Sequence, residues 1–174
     1  MDYITKPVSR DELRKLSKLM RRVFGIPLVG AFPVLRILDQ LRERFNTIYE
    51  IVEDSELPPN VMAQCTPRDD GGYKIQIKES VYDDAYRGDG ASLGFICHEI
   101  CHVFLFLVGY KPVFERSFED RRIEPFRSVE WQAKALCGEV MIPYEESANM
   151  DEEEVMRTYK TSRSFARYRI QKLG

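Results

Sequence analysis

Two histidines four positions apart, with a glutamate directly after the first, form the segment His98-Glu99-Ile100-Cys101-His102. On a helix, positions i and i+4 share one face, so both imidazoles can reach one ion at Zn–N distances of about 2.0–2.1 Å. Glu99 then stands beside the open coordination position, where it can take a proton from a water whose pKa the ion has lowered. The pattern predicts two zinc ligands, His98 and His102, and a general base, Glu99. The chain has only 2 histidines, and both fall in this motif. The competing explanation is a hydrogen-bonded pair of core histidines. On an apolar helix, however, two imidazoles and a carboxylate are costly to bury without an ion or other partners.

Without another histidine, a carboxylate or thiolate must complete the ligand set. The longer metzincin pattern asks for Gly and His further along, where Leu105 and Val108 stand. Glu130 is the leading candidate. It begins a helix after a loop that can return the chain to the motif, and Ala133 and Cys137 on its flank let two helices approach closely. Glu139 competes, but it lies deeper in the same helix and nearly opposite Glu130 on the helical wheel. A cysteine or another acid also stays open as third ligand. For Cys97, Cys101 and Cys137 the simpler expectation is a role as small core residues.

The elements that must position these residues follow from periodicity and caps. Ser9 and Glu12 have the spacing of a capping box, and Leu13, Leu16, Met20 and Val23 follow at helical intervals up to Gly25. Pro33 suits the first turn of a second helix with Leu35, Leu38, Leu41 and Phe45 on one face. Thr47–Val52 is rich in strand formers, residues 61–65 form a weaker strand candidate, and the Asp69-Asp70-Gly71-Gly72 turn leads into the alternating stretch Tyr73–Lys78. These predict a small antiparallel sheet, joined to the motif helix by a short polar connection ending near Ser92. The motif helix, residues 93–108, is apolar on nearly every face and therefore central. A charged loop over residues 111–128 precedes a helix over residues 129–141, stopped by Pro143. Asp151 and Glu154 repeat the capping-box spacing before a short helix. A basic helix, residues 163–173, ends the chain.

Composition sets bounds on all of this. A chain of 174 residues with 44% apolar and 31% charged residues is an ordinary globular composition, enough for one domain with a small appendage. The expected division is a main domain over residues 1–146, which holds the histidine motif, and a C-terminal helical appendage, helix-turn-helix-like, over residues 147–174. The net charge of −2 leaves no global attraction for polyanions. No secretory leader is read at the start, and the longest apolar run, residues 103–108, is too short to span a bilayer. The 4 cysteines fit reduced thiols in the cytoplasm better than a disulfide framework.

Two segments together resemble a known family. They are His98-Glu99-Ile100-Cys101-His102 and the helix Glu130-Trp131-Gln132-Ala133-Lys134-Ala135-Leu136-Cys137-Gly138-Glu139-Val140-Met141-Ile142-Pro143. Both are similar to the ImmA/IrrE metallopeptidases, and the closing helix around Phe165 to Ile170 is loosely similar as well. The resemblance implies an α+β, minimal zincin-like fold with zinc held by His98, His102 and Glu130 and with Glu99 as catalytic base. It also implies site-specific cleavage of a helix-turn-helix repressor encoded nearby, which derepresses mobile-element, phage or stress genes. Lys134 departs from the family, which has Asn, Asp or Ser one turn beyond the ligand glutamate. A lysine there can pair with Glu130 in competition with zinc, or point to solvent.

Further expectations attach to the same reading. Tyr110, Arg121, Arg122 and Tyr144 are conceivable donors to an oxyanion, and Tyr73–Lys78 is nominated as the strand to which an extended substrate adds. Two alternatives compete with proteolysis. One is a zinc-binding regulator or toxin–antitoxin component with little or no peptidase activity. The other is DNA contact through the last two helices, where Arg163, Arg167, Arg169 and Lys172 supply charge while Phe165, Tyr168 and Leu173 pack inward.

Overall fold

The computed structural model describes residues 2–113 and 123–173. Much of the 111–128 loop, with Arg121 and Arg122, therefore lies outside the described residues, as do the side chains of Lys172 and Leu173. The fold is mixed α+β. Helices α1 (Arg10–Val23) and α2 (Val34–Phe45) precede strand β1 (Thr47–Val52). Strands β2 (Ala63–Pro67) and β3 (Tyr73–Lys78) are followed by α3 (Glu79–Tyr86), α4 (Gly90–Leu107) and α5 (Val129–Met141). A single turn, α6 (Tyr144–Ser147), leads to α7 (Glu152–Tyr159) and α8 (Arg163–Leu173).

Local chemistry explains most of these boundaries. Both expected capping boxes form: Ser9 with Glu12 opens α1, and Asp151 with Glu154 opens α7. The α2 stripe is turned slightly from the expected one, with Val34, Ile37, Leu38 and Leu41 fully buried and Leu35 and Phe45 at its margin. Where a polar connection was expected before the motif helix, residues 79–86 form α3. Its Val81 and Ala85 are buried against the core, and that packing outweighs the weak helix propensity of the Tyr and Asp residues around them.

The sheet corrects the sequence reading. It is not purely antiparallel: its order is β1-β3-β2, with β1 parallel and β2 antiparallel to β3. Residues 53–62, which include Pro58 and Pro59, are too many for a tight hairpin and carry the chain past the place of β3. The tight turn at Gly71 then returns β3 between the other two strands, where Ile75 and Ile77 are fully buried. Tyr73–Lys78 is thus the central strand, paired on both sides, so the nomination as substrate-binding edge is wrong. β2 is an edge strand of the sheet.

α4 is the structural centre. Ile96, Cys97, Ile100, Cys101, Val103 and Leu105 are all buried, on every side of the helix. Contrary to the expectation from the 103–108 run, this helix of 18 residues is by length and composition apolar enough to cross a membrane, but 56% of it is buried inside the protein. Asp89 caps its start by accepting from the Ser92 N–H, and Gly109, at a positive φ of 98°, ends it. A Cβ added at Gly90 would lie 2.4 Å from the Ser162 main-chain nitrogen and 2.7 Å from the Thr161 carbonyl carbon. Glycine here lets the α7–α8 junction sit directly on the start of α4. Gly90→Ala is expected to destabilise the protein by about 1–3 kcal/mol in chemical denaturation, because the obstacle is backbone and cannot swing aside.

Candidate metal centre

α4 presents His98 and His102 on one face, and α5 packs beside it with Glu130 in its first turn. The three side chains meet at their tips. The His98 Nε2 lies 3.1 Å from the His102 Nε2 and 3.1 Å from Glu130 Oε2, and the His102 Nε2 lies 3.2 Å from Glu130 Oε1. A tetrahedron with edges of that length has its centre about 2 Å from each corner, the usual Zn–N and Zn–O distance. The donor set also suits a cation. Two imidazole nitrogens and a carboxylate converge, and these are donor types that a divalent metal takes. Glu99 completes the group, with a carboxylate oxygen within 4.8 Å of the ligand nitrogens of both histidines. The residues fit a bound divalent metal.

Glu130 owes its position to features that the sequence reading passed over. Ser128 caps α5 by accepting from the Trp131 N–H and donates in turn to the Asp2 carboxylate. Asp2 also accepts from the Glu130 N–H at 3.1 Å, and Ile4 bridges to Ser128. The N-terminal residues thus hold the first turn of α5 in place beneath the ligand. Ser128 carried a signal, since a serine ahead of Val-Glu is a helix-start pattern. Asp2 carried none.

Electrostatics agree with this geometry. Hydrogen bonds from His102 and His98 hold the Glu130 carboxyl well below the usual carboxylate range. Burial pulls His98 toward neutrality, but the Glu130 hydrogen bond and the Glu99 charge outweigh it and leave its pKa raised. Glu99 itself is pushed up by burial, against the opposing pull of His102 and His98. The same carboxylate feels the Cys65 backbone of β2. His102 is buried, and among the described residues its Nδ1 has no hydrogen-bond partner. Its ring is oriented by packing instead, 5.7 Å from Phe106 and edge-on to His98 at 4.7 Å.

The open side of the site is a cleft of about 740 Å³, lined by His98, Glu99, His102 and Glu130 together with Ala63, Gln64 and Cys65 of β2. The ladder shows which main-chain groups of β2 face it. Arg68 N–H donates to Gly72 and Lys78 N–H to Met62, so even-numbered β2 residues pair with β3. The Ala63 and Cys65 main-chain groups therefore point to the free edge, and Pro67, which needs no donor partner, ends it.

The remaining expected residues are elsewhere. Glu139 is fully buried but binds Arg169, with Arg10 and Arg14 close by, so it is a structural anion and not a ligand. Lys134 is exposed, its Nζ 5.7 Å from the Tyr168 ring, and among the described residues no ion pair joins it to Glu130. Tyr110 lies under Lys6 and Tyr144 under Arg14, and neither lines the cleft. Tyr3 and Lys111 do line it and were not foreseen. In α8, Arg163 and Arg167 pair with Glu152, Arg163 also pairs with Glu153, and Arg169 is buried. The inward residues are Ala166 and Arg169, with Phe165 and Ile170 at the margin, while Tyr168 is exposed. Compared with protein-family models and with curated proteins, the chain matches none.

Proposed function

We propose that this chain is a zinc-dependent endopeptidase of the ImmA/IrrE kind, built on a minimal zincin-like arrangement. The observation that carries the reading is the closed triangle of His98, His102 and Glu130, with Glu99 held against it at the wall of an open cleft. Zinc bound there supplies a Lewis acid for the scissile carbonyl and lowers the pKa of water. Glu99 takes the proton of the attacking water and delivers it to the leaving amine. Its burial favours this work, because a carboxylate pushed up in pKa is a stronger base than an exposed one. Tyr3 and Lys111 stand at the cleft as polar groups able to meet the oxyanion.

An extended substrate segment adds to the free edge of β2, pairing with the main-chain groups of Ala63 and the Cys65 carbonyl. This geometry favours an unstructured stretch of a protein over a folded element. The target class follows from the resemblance: a helix-turn-helix repressor encoded beside this gene, cleaved in the cytoplasm. The four free cysteines suit that reducing compartment. The test is to incubate the purified chain with the neighbouring repressor. Cleavage at one bond is expected with zinc, none is expected after chelation, and activity should return when zinc is restored. An intact repressor under all three conditions would refute the proposal.

A further inference from the structure

Beneath the histidines, on the inner face of the same two helices, lies a second cluster. Cys97 and Cys101 of α4 and Cys137 of α5 are buried and place their sulfur atoms within 4.8 Å of one another. A fourth sulfur adjoins them, the Met141 Sδ at 3.8 Å from the Cys137 Sγ. All four sulfurs belong to residues exposed by 6% or less. We propose that Cys97, Cys101 and Cys137 form a site for a soft monovalent metal ion, Cu(I), with the Met141 thioether beside it.

The donor set selects the ion. Structural zinc draws its four ligands from thiolate, imidazole and carboxylate, and a thioether is not among them. Thiolate and thioether donors together favour Cu(I). No carboxylate or imidazole belongs to the cluster, and the thiol protons released on binding leave to solvent. The surroundings suit the negative charge that remains. The fully buried guanidinium of Arg21 acts on Cys97, and among the described residues it hydrogen-bonds only to main-chain carbonyls of Val140, Pro27 and Gly30. Arg169 acts on Cys137 from the other side. There is also a way in, because Cys137 forms part of the wall of a second pocket of about 560 Å³, between Phe95, Trp131 and Phe165. This site shares helices with the histidine centre but no ligand, so it does not rest on the peptidase reading.

The test uses the full chain, reduced under anaerobic conditions and titrated with Cu(I) against the chelator bathocuproine disulfonate. One Cu(I) per chain is expected to resist the chelator, with a first shell of sulfur alone by X-ray absorption. Cys101→Ala and Cys137→Ala are each expected to lower the affinity by roughly 100-fold or more, while Cys65→Ser leaves it unchanged. Loss of all copper from the unmodified chain, nitrogen in its copper shell, or full affinity in both alanine variants would overturn the proposal. The first two readouts need no variant to fold.

Discussion

Replacing Glu99 by glutamine is expected to lower peptide hydrolysis by about 10²–10⁴-fold while the chain still binds one zinc. The amide keeps the shape of the side chain but cannot accept the proton of the attacking water. It also removes a buried carboxylate whose charged form is already disfavoured by burial, so the fold should not suffer. The three proposed ligands should stay in place, since the His98–His102–Glu130 contacts do not pass through Glu99. Two measurements on one preparation decide the matter: metal content by mass spectrometry and cleavage of the repressor. Zinc retained with cleavage lost supports the proposed role. Zinc retained with the cellular effect also retained would favour the non-proteolytic regulator, because a binding protein has no need of the base.

The convergence of the candidate metal-site residues was legible because its chemistry is local. Histidines at i and i+4 share a face on any helix, and Glu130 follows a serine that starts one. The caps of α1 and α7 were legible for the same reason: each is written within four residues. Strand order was not. Whether β3 lies at an edge or in the middle depends on where residues 53–62 carry the chain, and no short window records that. The error bears on the proposed function, since it put the proposed substrate edge at β3, which is the central strand. α3 escaped for a related reason, as burial of Val81 and Ala85 decides a helix that propensity leaves open. Arg169 was misread most fully. In a helix rich in arginine it looked like surface charge, yet its partner lies 30 residues earlier in the chain.

That partnership leads to the largest stability effect expected here. Arg169→Met should destabilise the protein by about 3–5 kcal/mol, read as a shift of the denaturation midpoint at unchanged slope. Arg169 donates from both terminal nitrogens to the Glu139 carboxylate at 3.2 Å, and again to the Ile142 carbonyl at 2.8 Å. Both partners are nearly inaccessible, with side-chain exposures of 3% and 1%, so the methionine would strand a carboxylate in the core. Arg10 and Arg14, at 3.6 and 3.8 Å, are too distant to replace a bidentate pair but should keep the loss within the stated range. The double variant Glu139→Leu with Arg169→Met should recover most of the stability, because no charge is then left buried alone. It should also bind zinc at full stoichiometry. Loss of zinc from a folded double variant would return Glu139 to the ligand set, and would undo the assignment of Glu130 as the third ligand.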